Sequence, residues 1–239
     1  MAQKILTVIA LKKFDSRFVR CLEALSSQTY PLENFYICSE SPSGNTEDDV
    51  MHAYNMARKY LLKNRQFDLM LTVEADIIAP KDSVELLVGE MGNGWDLVSG
   101  LFRMRPNGNL AAFIERPDVG NFPENLGSVC NNKKAYEALK KKEVIKVDTG
   151  CFGMTLMKRR VLEVIGWRRD KFCNDMQWAV DARAYRFKWG LHGGVRLNHV
   201  NADGRVCRPE DLLELQYALP TTRNPQFDEE IGTILSRDS

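Results

Sequence analysis

The chain has 239 residues, 33 Lys plus Arg against 32 Asp plus Glu, and a net charge of +1. That length suits one domain with a sizeable core, and the even charge argues against the basic stripe of a dedicated nucleic-acid binder. No apolar run nears the roughly 20 residues that span a bilayer, and the six scattered cysteines, with no CxxC pair, suggest neither a zinc site nor a dense disulfide scaffold. Met1 leads straight into a strand pattern without an apolar leader, so a cytoplasmic, reducing setting is the expectation.

Strand and helix alternate through the first hundred residues. A β-branched run, Ile5–Leu11, predicts the first strand, and Asp15 or Ser16 can cap a helix carrying Phe18, Leu22 and Leu25 at three-to-four spacing. Pro31 closes that connection and Asn34–Ser39 reads as a second strand. The polar loop Glu40–Asn45 leads to Thr46, an expected cap with Asp48 and Asp49 in the first turn. That helix runs to about Lys63, and Val50, Tyr54, Ala57 and Leu61 face the sheet. A third strand, Phe67–Val73, a helix over Asp82–Met91 and a strand over Asp96–Phe102 follow. Such alternation implies a mainly parallel sheet.

Regularity stops at Arg103. From there to Lys133 the chain is rich in proline and glycine, with only Leu110–Glu115 reading as a strand; a long irregular insert of this kind suits a binding loop or lid. Order returns with a strand at Val144–Val147, a turn at Gly150–Gly153, a strand through Met157, helices over Lys158–Ile165 and Asp175–Tyr185, and a short strand over Gly193–His199. Residues 1–219 are expected to form the domain, with 220–239 a polar C-terminal tail.

The most informative stretch is FDLMLTVEADIIAP, residues 67–80. An apolar strand there ends in Glu74 and Asp76, and residues two apart on a strand share a face. Open α/β sheets bind ligands just outside the carboxyl ends of their strands. Two carboxylates in that place suit a hard divalent cation, although an ordinary strand end with solvated acids has the same letters. His199 stands at a strand end beside a loop, as a metal ligand or as a histidine bonded to backbone. Asp175 starts a helix, where an aspartate is by default a cap but can also serve as a general base. Gly150 and Gly153 allow close approach of backbone to a ligand, or simply form a hairpin. Asp181 reads as a structural partner of Arg183 or Arg186, and His52 and His192 receive no role.

Taken in order, these pieces resemble the GT-A glycosyltransferases, in particular the inverting enzymes often called family 2, over about residues 4–200. ILTVIAL and SQTYPLENFYIC resemble the family's opening strand and its following passage. Asn55-Met56-Ala57-Arg58 is similar to its N-x-A-R helix, Glu74-Ala75-Asp76 stands at its D-x-D motif, and VDTGCFGMTLMKRRVLEVIGW at its acceptor-side segment. Asn174-Asp175 occupies the place of a Glu-Asp pair, and His199 that of the late metal-site histidine.

The resemblance implies a GT-A, Rossmann-like α/β fold and a Mn²⁺- or Mg²⁺-dependent transfer of a sugar from a UDP- or GDP-linked donor. It implies Asp76 and His199 as metal ligands and Asp175 as the base that deprotonates the acceptor. Glu40, Arg58, Glu74, Ala75, Gly150 and Asn174 would line the nucleotide and substrate. Glu in place of the first Asp of D-x-D, and Asn in place of the Glu before Asp175, depart from the pattern. Two other readings stay open. A sugar-phosphate nucleotidyltransferase should carry a glycine-rich loop after the first strand, where this chain reads ALKKFDSRF. A non-catalytic nucleotide- or glycan-binding module on the same scaffold is the other.

Overall fold

Ile5–Ala10 becomes a strand buried on both faces because its residues are apolar on both. Leu6 and Val8 enter one hydrophobic layer, and Ile5 and Ile9 enter the other. A computed structural model describes residues 3–11, 14–38, 46–103, 110–116, 120–123, 125–150, 152–170 and 174–214, with the side chains of 46, 47 and 174 outside the description. The polar tail expected over 220–239 lies outside the described residues, as does Glu40.

In chain order the elements are β1 (Ile5–Ala10), α1 (Ser16–Ser26), β2 (Asn34–Cys38), α2 (Thr46–Lys63), β3 (Leu69–Glu74), β4 (Ile77–Ile78), α3 (Ser83–Met91) and β5 (Leu97–Leu101). Then come β6 (Ala112–Glu115), β7 (Leu126–Ser128), α4 (Lys133–Lys140), β8 (Val144–Val147), β9 (Thr149–Gly150), β10 (Met154–Lys158) and α5 (Arg159–Val164). The last are α6 (Asn174–Ala184), β11 (Trp189–Arg196), β12 (Asn198–Val200), β13 (Val206–Cys207) and α7 (Glu210–Leu213).

A seven-stranded sheet in the order β2-β1-β3-β10-β5-β11-β8 forms the centre. β1, β2, β3, β5 and β11 run one way, and β10 and β8 run against them, so the sheet is mixed but mainly parallel. Helices cover both faces. Tyr54, Ala57 and Leu61 of α2 enter one apolar layer, while Phe18, Cys21 and Leu25 of α1 and Val84, Leu87 and Met91 of α3 enter the other. A sheet covered on both sides explains why its strands read as continuous apolar runs rather than alternating ones. The architecture is a single α/β domain of Rossmann-like type.

β3 and β5 run parallel, and β10 lies between them, antiparallel to both. The separation is stabilised by a polar seam across the buried strands. Ser99 and Thr155 hydroxyls lie 2.7 Å apart, the Thr72 hydroxyl donates to the Phe152 and Thr155 carbonyls at 3.3 Å, and Trp189 Nε1 donates to Ser99 at 2.7 Å. The expected irregular insert holds more order than predicted: β6 pairs with both β7 and β9 in a small second sheet. No helix among the described residues is long and apolar enough to cross a membrane.

Candidate functional site

The site lies at the C-terminal end of β3, and three local devices fix that end. The Glu74 amide donates to the Gly153 carbonyl at 2.9 Å. Gly153 has to be glycine, since a Cβ there would come within 2.5 Å of the Phe102 ring. After the turn through Ala75 and Asp76, β4 pairs antiparallel with β12, which sets His199 opposite Ile77. The Val200 amide donates to the Asp76 carbonyl at 2.9 Å.

This ladder brings together residues 123 positions apart, 199 minus 76, and leaves His199 Nε2 3.5 Å from Asp76 Oδ2. The Phe102 ring packs beside the imidazole, with centroids 5.9 Å apart. The sequence places His199 at the end of a single strand starting at Gly193. In the structure β11 begins at Trp189, and His199 sits on the separate short strand β12, which is what turns it toward β4.

Glu74 belongs to the same cluster. Burial, then the negative charges of Asp76 and Asp175, push its carboxyl up to about 8, partly opposed by His199. Asp175, in the first turn of α6, therefore shares a field with the β3 end although the two are far apart in sequence. Beneath them lies Tyr54 of α2, fully buried. Its phenol is raised well above its ordinary value by burial and by Glu74, Asp175 and Asp76, and its hydroxyl has no hydrogen-bond partner among the described residues. Asp76 and His199 thus lie together at the β3 end beside Glu74, and Asp175 reaches Glu74 electrostatically.

The other expected site residues have these surroundings. Arg58 donates through Nε to the Leu162 carbonyl at 2.5 Å and through Nη2 to the Glu163 carbonyl at 3.5 Å. Asn55 makes a two-way bond with the Trp167 backbone, at 2.6 and 3.0 Å. In this chain the N-x-A-R stretch therefore clamps α2 to α5 and the segment after it. Gly150 has a packing reason, because a Cβ there would meet the Trp189 ring at 3.2 Å. Asp181 is indeed a structural partner, but of Arg168, at 2.8 Å, while Arg183 pairs with Glu115 at 2.6 Å. Ala75 lies on the turn itself, Asn174 opens α6 with its side chain outside the description, and Glu40 lies outside the described residues.

Sequence reasoning missed Arg17. Asp15 caps α1, its Oδ1 accepting from the Arg17 and Phe18 amides at 2.9 and 3.3 Å. Its Oδ2 accepts from Arg17 Nε and Nη2 at 3.0 and 2.7 Å. The remaining Arg17 nitrogen, Nη1, lies 3.9 Å from Asp76 Oδ2. The available signal was topological, since β1 lies beside β3 and the turn leaving β1 must then open beside the end of β3.

Asp76 and His199 could hold a divalent cation only with help from further ligands. Among the described residues no group of three or more His, Cys, Asp or Glu side chains is arranged to hold a metal. One carboxylate and one imidazole, 3.5 Å apart and both partly exposed, can share one cation if other ligands complete its shell. Mg²⁺ keeps waters and takes substrate phosphate oxygens beside one or two carboxylates, whereas an imidazole in the set favours a softer first-row divalent ion.

Glu74 carries a stability consequence in the metal-free protein. The folded state retains its proton up to about pH 8, whereas an unfolded chain releases it near 4.5. The contribution is therefore complete below 4.5 and is lost as pH rises through about 8. Glu74→Gln, a mimic of the protonated form, should raise Tm at pH 8 and flatten the decline of Tm across that window, at about 2–4 °C for each kcal/mol recovered. Scanning calorimetry in EDTA reads this directly, and parallel Tm–pH curves for the two proteins would remove the assignment.

No protein-family model matches the chain, and no curated protein matches it. Among solved structures it is similar to the crystal structure of A197 from STIV, with a TM-score of 0.55 and 12% identity over 87% of this chain and 94% of that one. At that identity the likeness concerns the fold alone, and it extends over nearly the whole α/β domain.

Proposed function

We propose that this chain is a metal-dependent glycosyltransferase of GT-A type, moving a sugar from a nucleoside-diphosphate donor to an acceptor hydroxyl with inversion. The observation that carries the reading is the convergence of Asp76 and His199 at the carboxyl end of β3, with Glu74 and Asp175 in the same field. Asp76 and His199 would hold the cation, Mn²⁺ or Mg²⁺, through Oδ2 and Nε2. When bound, the cation would offset the negative charge that builds on the departing diphosphate.

The other roles belong to side chains of this chain. Asp175 accepts the proton of the incoming hydroxyl, as general bases do when held within hydrogen-bond reach. Glu74, whose extra methylene relative to Asp gives reach, would hydrogen-bond a ribose hydroxyl. The Phe102 ring beside His199 limits the imidazole's freedom and helps to keep Nε2 directed at Asp76.

A thermal-shift series tests the reading. UDP or GDP with Mn²⁺ should raise Tm, by an amount corresponding to about 2.7 kcal/mol at a hundredfold excess over Kd, and either nucleotide with EDTA should not. A preference for triphosphates would point instead to nucleotidyl transfer. Absence of any metal-dependent nucleotide shift would end the proposal.

A further inference from the structure

We infer that Arg17 is a phosphate-binding residue of this site, and that before any ligand binds it engages the negative charge of Asp76 which the cation would use. The inference rests on the reading proposed above. Its geometry is built rather than incidental. Asp15 caps α1 with one carboxylate oxygen and grips Arg17 Nε and Nη2 with the other, at 3.0 and 2.7 Å. That grip leaves Nη1 3.9 Å from Asp76 Oδ2, the same oxygen that lies 3.5 Å from His199 Nε2. A guanidinium is a planar fork suited to phosphate oxygens, and it keeps its charge at all working pH values.

Two consequences of opposite sign follow from one side chain. In the absence of nucleotide, Arg17 adds positive charge beside Asp76 and so opposes a bare divalent ion. With a diphosphate present, the same charge is attractive, because the phosphate oxygens can take the Nη1 hydrogens while Asp76 is released to the cation. Metal and nucleotide should therefore bind cooperatively in the native protein, each favouring the other by the same factor. The Asp15 pair by itself explains a capped helix and would leave both affinities indifferent to residue 17.

The test is a binding experiment on the full chain with Arg17→Gln and Arg17→Lys. Mn²⁺ alone is titrated by electron paramagnetic resonance, and UDP, GDP and inorganic pyrophosphate are titrated calorimetrically with saturating Mn²⁺. Arg17→Gln should bind Mn²⁺ alone about threefold more tightly, the scale of a partly exposed charge pair. It should bind the nucleotides and pyrophosphate about tenfold or more weakly, the scale of one charge-assisted hydrogen bond. Arg17→Lys, which keeps the charge and loses the fork, should restore the opposition to bare Mn²⁺ but only part of the nucleotide affinity. Unchanged affinities in Arg17→Gln, with native binding by the parent protein, overturn the role of Arg17 alone. Failure of the parent protein to bind any of the three phosphates with Mn²⁺ overturns this inference together with the proposed function. A fall in Tm without a change in either affinity assigns Arg17 to the helix cap and equally overturns it.

Discussion

Asp76→Ala is expected to abolish the metal-dependent stabilisation by UDP or GDP while leaving the protein folded. The side chain stands on a turn, partly exposed, outside both apolar layers. Its backbone carbonyl, which an alanine retains, is the atom that accepts from the Val200 amide and ties β4 to β12. The substitution removes a partly exposed charge pairing with Arg17 at 3.9 Å, worth about 1 kcal/mol or less, and a contact with His199 at 3.5 Å. Against that, the variant gains from relieving repulsion, since Asp76 is the strongest charge holding the Glu74 carboxyl up. The metal-free Tm should therefore stay within a few degrees of the parent's, whereas the nucleotide shift, about 2.7 kcal/mol at a hundredfold excess, disappears. Calorimetry with and without Mn²⁺ separates the two effects. Unchanged Mn²⁺ and nucleotide affinity would show that Asp76 holds no cation.

Much of this site is local, and that part was legible in the sequence. The apolar run Leu69–Val73 ending in Glu74 and Asp76 announces a buried strand with acids at its carboxyl end, and Asp15 announces a helix start. The convergence of His199 on Asp76 was not readable from spacing. It depends on β12, three residues long, pairing with β4, two residues long, and neither element has a periodicity of its own. Only the order of motifs, through the family resemblance, anticipated it. The insertion of β10 between β3 and β5 was hidden for a related reason. Met154–Met157 is apolar whichever neighbours it takes, and the Thr72–Thr155–Ser99 seam that selects them becomes visible only once the strands are side by side. Arg58 shows what letters alone leave out, since its guanidinium donates to the Leu162 and Glu163 carbonyls, two contacts no motif announces.

Asp175→Asn should slow sugar transfer by about a hundredfold or more while leaving donor affinity near that of the parent. The substitution preserves shape, but an amide takes no proton. Loss of a first-turn acid weakens a helix by about 0.3–1 kcal/mol, whereas a hundredfold slowing requires about 2.7 kcal/mol at the transition state. Helix damage is thus too small to imitate the loss of a base. A second readout places the same residue in the cluster independently of turnover. Asp175 helps to raise Glu74, so its neutralisation should let Glu74 ionise at lower pH and make the metal-free protein's Tm fall less steeply between about pH 4.5 and 8. A normal transfer rate, measured with a nucleotide-sugar and acceptor that the parent protein uses, would mean that another group or water takes the proton. A normal Tm–pH curve would mean that Asp175 does not share the field of Glu74. The two outcomes are separable, because the first concerns the chemistry and the second only the geometry on which that chemistry depends.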